Sequence, residues 1–415
     1  MSAPDHFDAH AATPQRWLAV VGIGEDGIDG LGAAARQLIS QAEVVFGGKR
    51  HLRLAAPVIR GAARPWPSPF AGALDEVLAR RGRNTCVLAS GDPMCHGVGV
   101  LLARKLEARE MIIVPAASAF SLAAARLGWA LTEVALVSLH GQSIDLVRRY
   151  LQPAARVLAL TSDGEGPPAL ARLLTQTGFG ASRVTVLEAL GGPRESIRCA
   201  RAADFNLAAI DPLNVVAIEV AGAPDARVIS SAAGLADELF EHDGQLTKRD
   251  VRAVSLSSLA PCRGELLWDI GAGSGSIAIE WMLCDPLMRA VAIEARPDRA
   301  ARIRRNACML GVPTLQIVQG AAPAAFDGLP PPDAIFIGGG VSDAGVLNGA
   351  MTQLRAGGRL VANVVTLEGE AVLLTHHAGS GGQLLRLAMT RADMIGGMRS
   401  WQPARPITQW SWTKP

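Results

Sequence analysis

Short apolar runs alternate with amphipathic segments along most of the chain. As far as Val220, the apolar runs predict strands, and segments with helical spacing separate several of them. These runs are residues 17–21, 85–89, 111–114, 134–139, 156–160, 183–187 and 214–220. Such alternation implies an α/β fold with mainly parallel sheets. Residues 60–70 hold three prolines and no hydrophobic period, so they predict a loop.

The second half has the same layered style but shares no motif with the first. Its predicted strands are residues 266–270, 290–293, 315–318, 334–337 and 359–364, with helices at 297–310 and 344–354. Residues 384–390 and 408–412 are expected to form a closing pair. A turn-rich passage from Ala221 to Gly234 separates the halves. We therefore expect a disordered tail at 1–15, a first domain at 16–225, a linker at 226–235 and a second domain at 236–415.

Composition limits the classes of protein that fit. Hydrophobic residues make up 49% of the 415 residues and charged residues 19%, which permits a large buried core. No apolar run approaches the roughly 20 residues that span a bilayer, so no membrane partner is expected. The N-terminus lacks a signal-peptide pattern, and the six cysteines form no C-x-x-C pair, as in a reduced, cytoplasmic protein. A net charge of +2 gives no basic surface for nucleic acid.

The run from Trp268 to Trp281 carries the most specific chemical signal. It predicts a strand, a turn with glycines at 271, 273 and 275, and a helix that begins at Ser276. Glu294 follows Gly271 by 23 residues, at the end of the next apolar run. Glycines let the backbone approach a ligand, and an acid at the tip of the second strand accepts hydrogen bonds from ribose hydroxyls. The spacing therefore predicts a nucleoside-containing cofactor, with a purely structural turn as the alternative.

Residues around this turn favour one kind of nucleoside. A dinucleotide loop has Gly or Ala at its sixth position, where this chain has Ser276. The five-residue G-x-G-x-G form resembles class I S-adenosylmethionine methyltransferases, and a nicotinamide cofactor is the alternative. Residues 22–27 also match G-x-G-x-x-G. The strand after them ends in Gly47 and Gly48 rather than in an acid, which argues against a dinucleotide there.

The second half resembles the decarboxylating methyltransferase domain of corrin biosynthesis. The resemblance rests on GLADELFEHDGQLTKRDVRAVSLSSLAP, the glycine turn, GAAPAAF, PDAIFIGGG and GGRLVANVV. It implies that Glu294 binds the ribose of S-adenosylmethionine and that the adenine lies beside residues 320–322. The other implied contacts are Thr247, Gly271, Gly273, Ser274, Gly275, Ala321 and Ala322. Lys248 is either a substrate contact or a solvated charge, and Gly338 to Gly340 form either the floor for a flat ligand or a close backbone contact.

The first half resembles the tetrapyrrole methylases, the class III methyltransferases. The motifs are SGDPMCHG, PAASAFSLAAARLG, SLHG and PLNVVAIE, in that order. The resemblance implies two α/β subdomains with S-adenosylmethionine in the cleft between them, and contacts from Ser90, Gly91, Asp92, Ser118 and Ala119. Asp92 has the alternative role of a loop or helix cap. His96 and His140 are acid–base candidates or structural histidines. Many members have Gly-Pro-Gly where this chain has Gly24-Glu25-Asp26.

The order of the halves resembles the bifunctional decarboxylating C-methyltransferases of cobalamin biosynthesis. That resemblance implies a tetrapyrrole-methylase fold followed by a Rossmann-like class I domain, with one S-adenosyl-L-methionine per domain. It also implies methylation of a precorrin at carbons 5 and 15, loss of the ring C acetate carboxyl, and homo-oligomers such as tetramers. Positioning suffices for such chemistry, so no catalytic residue is singled out and no metal is expected. The alternatives are a methyltransferase acting on RNA or a modified protein residue, and a non-catalytic cofactor-binding scaffold.

Overall fold

A computed structural model describes residues 16–70 and 72–415 and divides them into two compact units. The first unit holds the described residues up to Gln142 together with Pro153–Ala226. The second holds Ser143–Gln152 and Arg227–Pro415. The tail expected at 1–15 lies outside the described residues.

The first unit begins with a five-stranded parallel sheet. Its strands are β1 (Leu18–Ile23), β2 (Val44–Gly47), β3 (Ala62–Pro65), β4 (Thr85–Ser90) and β5 (Met111–Val114), in the order β3-β2-β4-β1-β5. Its helices are α1 (Ala33–Gln41), α2 (Lys49–Ala55), α3 (Ala73–Leu78) and α4 (Val98–Ala103). Because all five strands run in parallel, their carboxyl ends meet at one edge of the sheet.

The loop prediction for residues 60–70 was wrong, because β3 lies within it. All four residues of β3 are exposed, and the strand pairs only with β2 at the edge of the sheet. An edge strand needs backbone hydrogen bonds but no apolar alternation, and it tolerates a terminal proline such as Pro65. The hydrophobic pattern therefore contains no sign of it.

The second sheet of the first unit departs from the expected parallel arrangement. Its strands are β6 (Val134–Ser138), β7 (Arg156–Leu160), β8 (Arg183–Glu188), β9 (Ser196–Arg201) and β10 (Asn214–Glu219), in the order β6-β7-β10-β8-β9. Its helices are α5 (Ala119–Leu127) and α6 (Gly166–Gln176). Only β6 and β7 pair in parallel within the described sheet. A short turn joins β8 to β9, which leaves no room for the crossover helix that a parallel pair requires.

The second unit is built on a seven-stranded sheet that carries the Rossmann-like arrangement. Its strands are β11 (Leu266–Ile270), β12 (Arg289–Glu294), β13 (Gln316–Gln319), β14 (Ala334–Ile337), β15 (Arg359–Val364), β16 (Gln383–Leu387) and β19 (Ile407–Thr413), in the order β13-β12-β11-β14-β15-β19-β16. Its helices are α7 (Arg249–Leu259), α8 (Ser276–Leu283), α9 (Pro297–Met309), α10 (Val346–Gln353) and α11 (Leu367–Ser380). The closing pair is confirmed, since β16 and β19 pair antiparallel.

Large apolar side chains fill both faces of this sheet. Trp268 of β11 and Trp410 of β19 are fully buried on one face, and Trp281 of α8 is fully buried on the other. Helix α8 is buried on nearly every side, so it is the central helix against the sheet. Burial on both faces explains the continuous apolar runs of β11 and β14.

A hairpin of β17 (Thr390–Ile395) and β18 (Met398–Pro403) leaves the main sheet before β19. All of its residues are exposed. Its exposure explains why neither an apolar run nor an amphipathic period marked it. In the described part of the chain, no helix combines the length and hydropathy needed to cross a membrane.

Residues 143–152 belong with the second unit, although the expected first domain includes them. The Arg149 guanidinium donates to the Leu283 carbonyl at 3.0 Å, and the Gln152 amide donates to the Ile229 carbonyl. Gly311 also lies against this segment, since a Cβ there would stand 2.8 Å from the Arg149 nitrogen. These polar contacts join segments that are distant in sequence. They produce no hydrophobic pattern from which the place of residues 143–152 could be predicted.

Candidate functional site

The glycine turn of the second unit connects β11 to α8 in a conformation that needs glycine. Gly271, Gly273 and Gly275 have φ angles of 67°, 59° and 76°, in the left-handed region that other residues rarely adopt. The turn is fixed to β12, because the nitrogens of Gly271 and Ala272 donate to the Ile293 carbonyl at 3.0 and 3.2 Å. The sequence therefore builds a rigid backbone loop at the carboxyl end of the sheet.

Glu294 ends β12 beside this loop, and its carboxylate is 5% exposed. One oxygen accepts a hydrogen bond from the Gly273 nitrogen at 2.8 Å, and the other accepts one from the Arg296 nitrogen at 3.0 Å. Each carboxylate oxygen has two lone pairs, so each keeps an acceptor position after these bonds. Glu294 therefore fixes the loop and can still accept hydrogen bonds from a ligand.

Asp269 lies one strand away and has a different role. Its side chain is buried and accepts a hydrogen bond from the Ala278 nitrogen at 3.0 Å, which ties β11 to α8. Burial, reinforced by the negative charge of Glu294, raises the pKa of Asp269 to about 7. The Asp269 carboxyl is thus partly neutral near pH 7.

Most of the predicted contact residues of the second unit line one cavity of about 1150 Å³. The lining includes Thr247, Gly271, Gly273, Ser274, Glu294, Ala321 and Ala322. Gly275 is outside this lining. A Cβ at Gly275 would stand 2.7 Å from Ile303 Cγ2 of α9, so its role is to let two helices pack.

The Ser274 hydroxyl forms a hydrogen bond within the protein. It donates to the Gln245 carbonyl at 3.0 Å and is buried. The Asn306 amide of α9, also fully buried, donates to the Ser274 carbonyl at 2.9 Å. The hydroxyl proton and the carbonyl of Ser274 are therefore both engaged within the protein. Sequence reasoning missed Gln245 and Asn306, although an asparagine on the buried face of an amphipathic helix is a detectable signal.

Arg252 of α7 holds the segment that carries Thr247, and sequence reasoning missed it too. Its fully buried guanidinium donates to Glu280 at 2.5 Å, to Asp237 at 3.0 Å, and to the carbonyl of Thr247. A buried cation requires such partners. An arginine among the apolar positions of α7 was the signal that could have revealed this network.

The glycine triplet after β14 lies both in the cavity wall and in a close backbone contact. It lines the cavity, which leaves the cavity floor without side chains at Gly338, Gly339 and Gly340. It also packs closely, since a Cβ at Gly271 would stand 3.0 Å from the Gly339 nitrogen and oxygen. Lys248 lines the same cavity, and its ammonium is 3.8 Å from Asp237.

In the first unit, two glycines let three strand ends touch. A Cβ at Gly22 of β1 would stand 1.8 Å from the Gly91 oxygen after β4 and 2.7 Å from the Ala116 nitrogen after β5. A Cβ at Gly91, whose φ is 53°, would stand 2.7 Å from the Ala117 oxygen and 3.1 Å from Ser118 Cα. The structure thus brings Gly91 and Ser118 together at the carboxyl edge of the sheet.

Ser90 belongs to a polar cluster that the sequence did not reveal. Its hydroxyl is 2.7 Å from Arg50 Nη2 and 2.8 Å from His51 Nε2, and Arg50 is ion-paired with Glu25 at 2.6 Å. Arg194 lies 3.3 Å from the other Glu25 oxygen. Glu25 stands where many tetrapyrrole methylases have proline, so the departure from Gly-Pro-Gly coincides with this cluster. The shared carboxyl edge of β1, β2 and β4 brings Glu25, Arg50, His51 and Ser90 together, and Arg194 comes from the loop between β8 and β9.

His51 is a neutral acceptor in this cluster. Arg50 always donates, so His51 Nε2 accepts and Nδ1 carries the proton. Nδ1 is buried without a hydrogen bond to any described residue. Burial, aided by the positive charge of Arg50, lowers the pKa of His51 to about 4.

Asp92 and Ser118 cap backbone in the first unit. An Asp92 oxygen accepts a hydrogen bond from the Met94 nitrogen at 2.8 Å, as in a loop cap. Ser118 is the N-cap of α5, where its hydroxyl accepts from the Ser121 nitrogen at 3.0 Å, and Ala119 is the first residue of that helix. His96 and His140 are exposed, and the His96 ring packs against Phe120 at 6.1 Å. Across residues 16–70 and 72–415, no three His, Cys, Asp or Glu residues are grouped to hold a metal ion.

Each half of the chain matches a different family. Residues 18–206 match the tetrapyrrole (corrin/porphyrin) methylases. Residues 238–414 match the precorrin methyltransferase domain. The two matches lie in the order expected from the sequence motifs.

Three curated relatives resemble the chain over different extents. The chain is 59% identical over 410 residues to a precorrin-6Y C(5,15)-methyltransferase (decarboxylating) of Sinorhizobium sp, covering 99% of each protein. It is 32% identical over 177 residues to a cobalt-precorrin-6B C(15)-methyltransferase (decarboxylating) of Salmonella typhimurium, covering 41% of this chain and 91% of that protein. It is 31% identical over 180 residues to a cobalt-precorrin-7 C(5)-methyltransferase of the same organism, covering 43% of this chain and 88% of that protein.

Proposed function

Because the chain belongs to the precorrin-6Y C(5,15)-methyltransferase (decarboxylating) family, we propose that it methylates a precorrin at carbons 5 and 15 and decarboxylates the ring C acetate. S-adenosyl-L-methionine is the methyl donor, and we infer one binding site per unit. The observation that carries the proposal is the 59% identity that extends over 99% of both proteins. Each unit also has glycines at the carboxyl ends of parallel strands, where the backbone is open to a ligand.

In the second unit, we infer that the loop and Glu294 hold the methyl donor. The backbone of Gly271, Gly273 and Ser274 would hold its amino-acid part, and the free acceptor positions of Glu294 would bind its ribose hydroxyls. Residues 320–322 line the cavity without a carboxylate, so the adenine amine would meet backbone groups. Gly275 contributes helix packing rather than contact.

In the first unit, we infer that backbone groups make most of the contacts with the methyl donor. The hydroxyl of Ser118 and one carboxylate oxygen of Asp92 already accept backbone hydrogen bonds. Gly91, Ser118 and Ala119 would therefore offer the backbone around the start of α5 to the second donor molecule. The Ser90 hydroxyl would contact it only while also bonded to Arg50 and His51.

The residues around each donor need to position the reactants. Bound S-adenosyl-L-methionine supplies a methyl group on a sulfonium, and meso carbons conjugated to pyrrole nitrogen are already nucleophilic. Alignment of the two therefore provides most of the catalysis, and the rigid loop tied to β12 is suited to that task. In the decarboxylation, the bond to the carboxylate breaks, its electron pair passes into the conjugated ring, and carbon dioxide leaves. A proton then returns to the side-chain carbon.

We assign carbon 15 and the decarboxylation to the second unit, and carbon 5 to the first. Two shorter relatives support the assignment, because one is named for carbon 15 with decarboxylation and the other for carbon 5. The second unit also holds the match to the precorrin methyltransferase domain. The two activities thus occur as separate proteins as well as in one chain.

Turnover by the full-length chain tests the proposal. With methyl-labelled S-adenosyl-L-methionine and precorrin-6Y, we expect two methyl groups in each macrocycle, two S-adenosylhomocysteine molecules and one carbon dioxide. Release of S-adenosylhomocysteine with RNA alone would favour the alternative methyltransferase. No turnover with precorrin-6Y or RNA would favour a cofactor-binding scaffold.

A further inference from the structure

The cavity of the second unit is larger than a methyl donor alone requires. Its volume of about 1150 Å³ exceeds the range of roughly 300–1000 Å³ that is usual for a single small-molecule pocket. Its lining includes the glycine loop and Glu294. The lining also includes both strands of the β17–β18 hairpin, through Arg391, Ala392 and Gln402. The cavity therefore has room for a second ligand beside the methyl donor.

Arg391 gives the part of the cavity beside the hairpin a positively charged hydrogen-bond donor. It lies on β17, lines the cavity, and its side chain is 58% exposed. Its guanidinium donates to the carboxylate of Asp250 on α7. The Asp250 side chain is 52% exposed. Lys248, the N-cap of α7, lines the same cavity, so the ion pair links two of its walls.

An exposed ion pair of this kind exchanges its partner easily. Solvent screens both charges, and such pairs contribute little to stability. A guanidinium forms two parallel hydrogen bonds with any carboxylate of suitable position. Asp250 therefore occupies the place that a ligand carboxylate can take.

We propose that Arg391 binds a carboxylate of the tetrapyrrole substrate and releases Asp250 when the substrate enters. The inference rests on the proposed function, because the acetate and propionate groups of a precorrin supply the carboxylates. Arg405 lines the same cavity and adds a second positive charge, whereas Asp393 adds a negative charge that restricts where a carboxylate can lie. Arg391 is thus a determinant of substrate specificity rather than of methyl-donor binding.

Uroporphyrin III, a stable polycarboxylate tetrapyrrole, serves as the probe. Its binding to the full-length protein is measured by fluorescence, with S-adenosylhomocysteine present. Arg391→Gln should weaken binding about tenfold or more, since it removes a hydrogen-bonded charge. Arg399→Gln is the matched control, because Arg399 lies on the same hairpin outside the cavity lining, and it should change binding less than twofold.

Asp250→Asn separates ligand binding from a structural role. If Asp250 competes with the substrate, this variant should bind uroporphyrin III as tightly as the wild type or severalfold more tightly. Equal weakening by Asp250→Asn and Arg391→Gln would instead show that the ion pair only supports the hairpin, and would overturn the proposal. Absence of uroporphyrin binding by the wild type, or unchanged binding by Arg391→Gln, would overturn it as well. Failure of the proposed function would appear separately, as absence of wild-type turnover with precorrin-6Y.

Discussion

The two units use glycine for different purposes at corresponding places. In the first unit, Gly22 and Gly91 allow the backbones of three strand ends to touch. In the second, Gly271 and Gly273 adopt left-handed angles that form an open loop, and the carboxylate of Glu294 holds that loop. Both sites therefore depend on the absence of side chains, and the second depends in addition on the presence of one carboxylate.

The polar side chains near the two sites also differ in the hydrogen bonds that they make within the protein. The hydroxyl of Ser118 and one oxygen of Asp92 are occupied by backbone in the first unit, and the Ser90 hydroxyl is bonded to Arg50 and His51. Asp92 and Glu294 both keep free acceptor positions, but Glu294 also holds its glycine turn, whereas Asp92 caps the Met94 nitrogen. The comparison indicates that a steric change should disable the first site, whereas removal of a charge should disable the second.

The largest effect is expected from Gly22→Ala. The new methyl carbon would stand 1.8 Å from the Gly91 oxygen, and because that atom is backbone, no side chain can move aside. We expect the first unit to lose roughly 4 kcal/mol or more of its unfolding free energy and to lose its methyl-donor site. Calorimetric titration of the full-length chain with S-adenosylhomocysteine should then give one site instead of two.

Gly32→Ala is the matched control within the same unit. Gly32 has a φ of −66°, and no described heavy atom lies within 4 Å of the position that its Cβ would take. Both sites should persist in this variant. If Gly22→Ala also kept two sites and wild-type stability, close backbone contact would not be the basis of the first site.

The hydrophobic pattern predicted the strands that are buried on both faces. Strands β7, β11, β14 and β15 have the predicted bounds, because each is a largely apolar run between turn residues. The pattern missed β3, β9 and the β17–β18 hairpin. Half or more of the residues in each of these elements face solvent, so backbone pairing rather than burial defines them.

The candidate sites were predictable to different extents for a related reason. The second site is local in sequence, since one loop and one acid 23 residues later define its centre. The Glu25, Arg50, His51 and Ser90 cluster of the first unit spans 66 positions and three strand ends, so only the folded sheet brings its members together. Arg252 and Asn306 stand out as polar residues on buried helix faces, but the carbonyl groups that they bond carry no sequence signal.

The second-largest effect is expected from Glu294→Ala. The substitution removes the carboxylate that we propose binds two ribose hydroxyls, together with the hydrogen bond that it accepts from the Gly273 nitrogen. Because hydrogen bonds to a charged group contribute about 1.5–3 kcal/mol, affinity for S-adenosylhomocysteine in the second unit should fall roughly 100-fold. Titration calorimetry should again resolve one strong site, this time the site of the first unit.

Asp298→Ala is the control for the loss of negative charge. Asp298 lies in the first turn of α9, four residues after Glu294, and pairs with Arg296 at 2.9 Å outside the cavity lining. It should leave both affinities within about twofold, since an exposed pair contributes little. Equal losses in the Asp298→Ala and Glu294→Ala variants would mean that general charge, rather than ribose binding, sets the affinity.

Opposite pH dependences of the two units follow from one buried group in each. The pKa of His51 falls from 6.5 to about 4 on folding, because burial disfavours the charged ring. Its unfolded form therefore binds more protons, and the first unit loses stability as the pH falls from 6.5 towards 4. The pKa of Asp269 rises from 3.8 to about 7, chiefly through burial. Its folded form binds more protons, so the second unit gains stability as the pH falls from 7 towards 3.8.

The smallest predicted effect is the resulting divergence between pH 7 and pH 5. Since one pKa unit corresponds to about 1.4 kcal/mol, each group should change its unit by roughly 2 kcal/mol, in opposite directions. Hydrogen exchange of β4 and β11 in the full-length chain reports the two units separately.

Because other groups also titrate, the decisive quantities are the differences in pH dependence between the wild type and two variants. His51→Gln should remove the acid loss in β4, and Asp269→Asn, which keeps an acceptor for the Ala278 nitrogen, should remove the acid gain in β11. If the pH dependences of both variants matched the wild type, the buried charges would not distinguish the units.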